Sequence, residues 1–404
     1  MAGAGGADGV VGLVGVGTMG AGIAQLAIEA GHTVLIHDVD AAAIERGRAR
    51  IRTGLERRAS RLDLDPDSAE LWVEGRLEHL RDALTLADLA MADPILVVEA
   101  ALEVLEAKRA IFRALDALSA GAILATNTSA LSVAEIAEAA TRPGRVLGLH
   151  FFNPAPVMPL VEVVVAPATD PAVADRAAAI VTAWGKVPVR CTDTPGFIVN
   201  RVNRPFTLEA LAILDTHGAA LEVIDRAIRA AGFPMGPFEL MDLVGIDVNM
   251  AAARGIHAAA IAAGDPAAER FRPSPTQERA VAAGRLGRKT DGGFYDYDEA
   301  GRATGPDPES VRPGDPDGRL TDAEIVRRIT LAIVNEAYRA LGDGVASADD
   351  IDLALRLGAA HPVAPFERAA ELGGPTAILE ALREHAADGP RFDPAPALHS
   401  AGSG

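Results

Sequence analysis

Gly15-Val16-Gly17-Thr18-Met19-Gly20 is a G-x-G-x-x-G, and its surroundings restrict the fold more than any other feature of the chain. An apolar run, Val10–Val14, precedes it. A helical stretch, Ala21–Ala30, follows and is stopped by Gly31; a second apolar run, Thr33–His37, leads to an acid, Asp38. This order of strand, turn, helix, strand and acid is what a dinucleotide-binding βαβ unit requires. Gly15 permits the tight turn, Gly17 lets backbone approach a pyrophosphate, and Gly20 lets helix and strand pack closely. The helix N-terminus, with Thr18 and Met19, offers N–H groups and partial positive charge to phosphates. A carboxylate at Asp38 accepts hydrogen bonds from a ribose diol and repels the extra phosphate of NADP. No Arg follows it directly, so the pattern selects NAD.

The alternation continues beyond the motif. Runs at Ile95–Val98, Ala122–Ala125 and Val146–His150 are separated by Ala-rich helical stretches, as in a parallel sheet covered on both faces. From about Thr194 the strand signal stops, and amphipathic segments such as Ile198–Asp215 and Leu221–Ala231 take over. Pro195-Gly196 marks the join. The fold class expected is therefore an α/β Rossmann-type domain followed by a duplicated all-α domain. The duplication is read from an offset of 127 residues, which carries Ile198-Val199 to Ile325-Val326, Glu209-Ala210 to Glu336-Ala337 and Ile224-Asp225 to Ile351-Asp352. With one residue inserted, Pro237-Phe238-Glu239 falls on Pro365-Phe366-Glu367. Thr321 and Glu324 form a capping-box pattern that opens the second copy. The expected domains are 1–192, 193–300, a Gly/Pro/Asp-rich linker at 301–319, and 320–400.

Composition narrows the function classes. A net charge of -18 repels nucleic acid and anionic membrane surfaces. No apolar run is long enough to span a bilayer, and Met1–Gly9 lacks a signal peptide's basic start. One cysteine, Cys191, excludes a disulfide framework and fits a reducing cytoplasm. No H-E-x-x-H, no Cys pair and no clustering among the nine His point to a metal, so none is expected.

The chemistry is read from His150 and Glu162. His150 ends one apolar run, Glu162 interrupts the next, and three prolines lie between them. If the runs form an antiparallel hairpin, a loop centred on Pro156 sets the two residues opposite each other, with Cβ atoms about 4.5–5.5 Å apart. A carboxylate so placed holds an imidazole in one tautomer and stabilises its protonated form. Alcohol oxidation needs a base for the hydroxyl proton while hydride leaves carbon. The competing reading is a histidine satisfied in the core. Ser132, three residues before Glu135, reads as a helix N-cap; Ser129 lies earlier on the turn, where its hydroxyl can meet a substrate oxygen or serve as an ordinary turn residue.

These motifs resemble the 3-hydroxyacyl-CoA dehydrogenases. The resemblance rests on the glycine motif, Asn127-Thr128-Ser129, His150-Phe151-Phe152-Asn153-Pro154, Asp193-Thr194-Pro195-Gly196-Phe197-Ile198-Val199-Asn200-Arg201 and Pro234-Met235-Gly236-Pro237-Phe238-Glu239. It implies NAD-dependent oxidation of a (3S)-3-hydroxyacyl thioester, short-chain and CoA-linked, with His150 as general base and Glu162 as its partner. It also implies that Ser129 and Asn200 bind the reacting oxygen, that Asn127 binds the cofactor, that Asn153 lines the nicotinamide pocket, and that Glu103 and Lys108 contact NAD. Seven arginines between Arg46 and Arg61, Arg57 and Arg58 among them, could hold the phosphates of CoA or the arm of an acyl-carrier protein; they read equally as a solvated helix face. The family's dimers form through the all-α domain, so the chain is expected as a homodimer, or as a monomer in which the second copy takes the partner's place. In that copy Arg327 stands where Asn200 stands in the first, so no second active site is expected. A carrier-protein dehydrogenase, a free hydroxy-acid dehydrogenase of the same fold and a non-catalytic nucleotide binder are the alternatives.

Overall fold

In the computed structural model, which describes residues 9–118, 121–307 and 320–401, the alternation of strand and helix becomes one eight-stranded sheet. Its strands are β1 (Val10–Val14), β2 (Thr33–His37), β3 (Leu80–Asp82), β4 (Leu96–Glu99), β5 (Ile123–Thr126), β6 (Val146–Phe151), β7 (Leu160–Val165) and β8 (Val187–Thr192). Their order is β3-β2-β1-β4-β5-β6-β7-β8. All neighbours are parallel except β6 and β7. The strand order reverses between β1 and β4, and ligands of such sheets bind outside the carboxyl ends at that point. β3 and β8 carry too few apolar residues to be read from the sequence; β8 alternates exposed Arg190 with buried Val189 and Cys191.

Three helices bear on the site. α1 (Thr18–Glu29) buries Ile23, Ala24, Leu26, Ala27 and Ile28 against the sheet. α2 (Ala41–Ala59) starts at Asp40, whose carboxylate accepts from Ala43 N at 2.7 Å. α3 (Pro66–Leu77) starts at Asp65, with Pro66 in the first turn, where its missing N–H costs nothing.

The chain divides at Thr194/Pro195 into two compact units. The second is mainly helical and carries the same construction twice. Asp225 accepts from Phe238 N and Glu239 N at 3.0 and 3.2 Å; Asp352 accepts from Phe366 N and Glu367 N at 2.8 and 3.2 Å. Arg229 pairs with Glu239, and Arg356 with Glu367. Across the copies the pairing is reciprocal. Arg201 donates to Glu336 (2.8 Å), joined by Arg270 (2.6 Å); Arg328, its counterpart, donates to Glu209 (3.0 Å), joined by Arg391 (2.7 Å). Such exchange is the mark of a two-fold, self-complementary interface, here inside one chain.

Two expectations need correction. The second unit is not wholly helical: Tyr295–Tyr297 and Ala303–Pro306 form an antiparallel ribbon, tied down by Asp242, which accepts from Phe294 N, Tyr295 N and Tyr297 Oη at 2.9 Å each. The ribbon takes residues 303–306 from the expected linker, and 308–319 lie outside the described residues. The capping box at Thr321 and Glu324 is formed as read.

Candidate active site

The nucleotide cradle begins where β1 ends. Gly15 has φ +89°, and a Cβ there would lie 2.6 Å from Ala101 N. A Cβ on Gly20 would lie 1.9 Å from Gly15 O. Both glycines are therefore demanded by the protein's own packing. Gly17 is different: a Cβ there meets nothing within 4 Å. Neither strain nor packing explains this glycine, whereas backbone approach by a pyrophosphate does. Gly17 is also the N-cap of α1 and offers no side chain to its first N–H groups, with Thr18 exposed and Met19 half-buried beside it. Asp38 accepts from Val16 N through Oδ2 (2.7 Å) and from Val39 N through Oδ1 (2.8 Å). The carboxylate is thus aimed across the loop, with lone pairs left for a ribose. These residues fit NAD.

Antiparallel pairing sets His150 opposite Glu162. His150 Nδ1 lies 2.5 Å from Glu162 Oε2; the carboxylate is fully buried and the histidine 6% exposed. Phe152 packs on the imidazole with ring centres 4.6 Å apart. With Nδ1 held by the carboxylate, Nε2 is the nitrogen that can exchange a proton with a ligand. The loop between these strands is fixed by a residue that sequence reasoning missed. Lys186 Nζ donates to Ala155 O (2.6 Å) and Met158 O (2.8 Å), and burial pulls its pKa down to about 8.

Ser129 is positioned through a buried network. Lys108, 1% exposed, donates to Glu99 at 2.7 and 2.9 Å, and Thr126 Oγ1 donates to the same carboxylate at 2.7 Å. Lys108 also approaches Glu103 to 3.3 Å. Glu103 in turn accepts from Thr128 Oγ1 (2.5 Å) and Ser129 N (3.0 Å). The Lys108 ammonium is thus enclosed by the carboxylates of Glu99 and Glu103. Glu99 supplies the counter-charge that the buried ammonium requires, and Thr126 Oγ1 satisfies a further lone pair of that carboxylate. Asn127 Oδ1 accepts from Phe151 N at 2.9 Å and ties the ends of β5 and β6 together, while Asn153 is exposed on the following loop. Ser132 caps its helix as read, and Asp193 adds a second cap through Val133 N and Ala134 N (3.0 and 2.7 Å).

The arginine run resolves into two groups. Arg48 pairs with Asp82 (2.7 Å), Arg52 with Glu74 (2.6 Å) and Arg58 with Glu29 (3.5 Å). Arg46, Arg50 and Arg57 are exposed and, at helical spacing, share one stripe of α2; Arg61 follows just past its end. Arg57 therefore remains available to an anion, whereas Arg58 is partly engaged. Asn200 lies in the second unit, half-buried in the short helix Val199–Val202. Among the described residues no group of three or more His, Cys, Asp or Glu side chains could hold a metal ion, and no helix is long and apolar enough to cross a membrane.

The family model for the NAD-binding domain of 3-hydroxyacyl-CoA dehydrogenases matches residues 10–194, and the model for their C-terminal domain matches twice, at 196–297 and 325–402. The chain belongs to the 3-hydroxyacyl-CoA dehydrogenase family. It is 37% identical to a 3-hydroxyadipyl-CoA dehydrogenase of Escherichia coli over 93% of its own length and 94% of the relative's. It is 41% identical to the mitochondrial hydroxyacyl-coenzyme A dehydrogenase of rat over 70% of its length and 90% of that protein's. A crystal structure of a 3-hydroxybutyryl-CoA dehydrogenase from Escherichia coli superposes with TM-score 0.83 at 35% identity, covering 97% of this chain and 98% of that one. The chain is accordingly an NAD-dependent oxidoreductase acting on 3-hydroxyacyl-CoA.

Proposed function

We propose that His150 is the general base for oxidation of the 3-hydroxyl of a (3S)-3-hydroxyacyl-CoA of short chain length, and the acid for the reverse reduction. The observation that carries this reading is the buried 2.5 Å contact between His150 Nδ1 and Glu162 Oε2, in the same unit as a cradle that fits NAD. Nε2 takes the hydroxyl proton, and the Glu162 carboxylate stabilises the imidazolium that forms. Ser129 and Asn200 hydrogen-bond the reacting oxygen, and Glu103 fixes the turn that presents Ser129. Bound NAD supplies the hydride acceptor. Arg57, with Arg46 and Arg50, attracts the phosphates of CoA. The domain reading that supports this is 1–192 for NAD binding and 193–300 for the working helical copy, with 320–400 as a second copy that stands in for a partner subunit. The enclosed lone thiol of Cys191 suits a reducing cytoplasm.

NADH oxidation at 340 nm with acetoacetyl-CoA, run beside NADPH, tests the reaction and the cofactor together. His150→Ala should retain NADH binding and lose about 10²–10⁴ in turnover. Unchanged turnover in that variant removes the mechanism.

A further inference from the structure

Among the described residues of the second unit four arginines are buried, and three of them are neutralised. Arg201 has Glu336 and Asp343; Arg270 has Glu336 and Asp265; Arg328 has Glu209 and Asp388. The fourth, Arg204, is 6% exposed and has no carboxylate partner among the described residues. Its Nη1 makes one long contact, 3.4 Å to Asn249 O, and its buried Nε has no partner. Burial without a counter-charge draws its pKa down to about 10. A desolvated guanidinium with unused donors is costly to a fold.

The fold does not need an arginine there. Under the 127-residue offset, the counterpart of Arg204 in the second copy is Leu331, fully buried in a hydrophobic cluster. The two copies share their helix caps and reciprocal ion pairs, so this difference is not forced by architecture. It falls beside another chemical difference between the copies, Asn200 against Arg327. Arg204 follows Asn200 by four residues, and Asn203 between them keeps helical dihedrals (φ -83°, ψ -4°). Residues four apart on a helix lie side by side, with Cβ atoms about 5–6 Å apart.

We propose that Arg204 is the receptor for a carboxylate at the far end of the acyl chain, so that the substrate is the CoA thioester of a 3-hydroxy dicarboxylic acid. The inference rests on the function proposed above, which places Asn200 at the reacting oxygen. From there a few methylenes bring the far end of a short chain to the neighbouring helical position. A planar carboxylate matches the guanidinium fork and supplies the missing counter-charge. It also makes the site discriminating, because a methyl terminus leaves the buried guanidinium unpaired.

The test compares two six-carbon thioesters that differ only at that end, 3-oxoadipyl-CoA and 3-oxohexanoyl-CoA, in reduction by NADH. The wild type should favour the diacid by about 10- to 100-fold in kcat/KM. Arg204→Leu should abolish that preference, mainly through KM for the diacid, with a thermal midpoint no lower than the wild type's. Arg204→Lys should keep part of it. The wild-type ratio stands as a test even if a variant fails to fold. Equal use of both thioesters by the wild type overturns the inference, as does an equal loss with both in Arg204→Leu, the result expected of a CoA-phosphate contact. Inertness toward both, with acetoacetyl-CoA turned over normally, also overturns it and leaves the proposed reaction standing. Inertness toward all three in protein that binds NADH overturns both.

Discussion

The two helical copies keep the same scaffold and differ in what they present. Asp225 and Asp352 accept from equivalent backbone pairs, and Glu209 and Glu336 each collect two arginines. Against that likeness, Asn200 becomes Arg327, which pairs at 2.9 Å with exposed Glu384, and Arg204 becomes Leu331. The ion pairs and caps that hold the helices together are retained in both copies, while the positions of Asn200 and Arg204 differ between them. The comparison teaches which residues are architecture without any alignment: those that occur twice.

Its strongest test is at the centre of that architecture. Glu209→Ala and Glu336→Ala should each cost about 3–5 kcal/mol in urea unfolding, because the first strands buried Arg328 and half-buried Arg391 and the second strands buried Arg201 and Arg270. If only one of the two is damaging, the copies are not equal partners in the fold.

A second test uses His361, which belongs to the second copy and has its Nε2 2.8 Å from Asn203 Oδ1 of the first, with Phe233 edge-on at 5.1 Å. Burial lowers its pKa from 6.5 to about 4. Between these values the unfolded chain binds more protons than the folded one, so stability falls as pH drops through this window. The full loss is about 3 kcal/mol, approached near pH 4. Melting curves of the wild type and His361→Gln across that range check it; equal slopes would remove His361 as the cause.

The third prediction separates function from scaffold. Asn200→Ala should lower kcat by about 10²-fold, equivalent to about 2.7 kcal/mol of barrier. Arg327→Ala, on the exposed face of the second copy, should leave kcat as it was and alter stability by less than about 0.5 kcal/mol. A comparable loss of turnover in both would give the second copy a part in the chemistry.

The sequence was most informative where one local rule acts alone. Side chains alternate along a strand, so three prolines centred on Pro156 were enough to set His150 against Glu162, and the observed register is the one that reading required. The glycine motif was legible in the same way, although only coordinates separate Gly15 and Gly20, which the packing demands, from Gly17, which it does not. Contacts between distant segments were hidden. Lys108 carries no mark that it will turn inward to Glu99, nor Lys186 that it will hold carbonyls about thirty residues earlier. The ribbon at Tyr295–Tyr297 escaped because three residues have no periodicity, and Asp242, some fifty positions away, decides its place. Arg204 likewise carries no mark in the sequence that it will be buried away from any carboxylate of the described residues.

The reciprocal arginine–glutamate exchange has a consequence for inheritance. In a symmetric dimer made from one gene, a substitution at the two-fold interface is written into both sides at once, so every change must suit both roles. Here the two sides are spelled by separate codons. A new residue in one copy can be tried without imposing it on the other, and a repair in either leaves its counterpart untouched. The same tether makes the pairing first-order: dilution does not separate the copies, so their mutual stability carries no dependence on protein concentration.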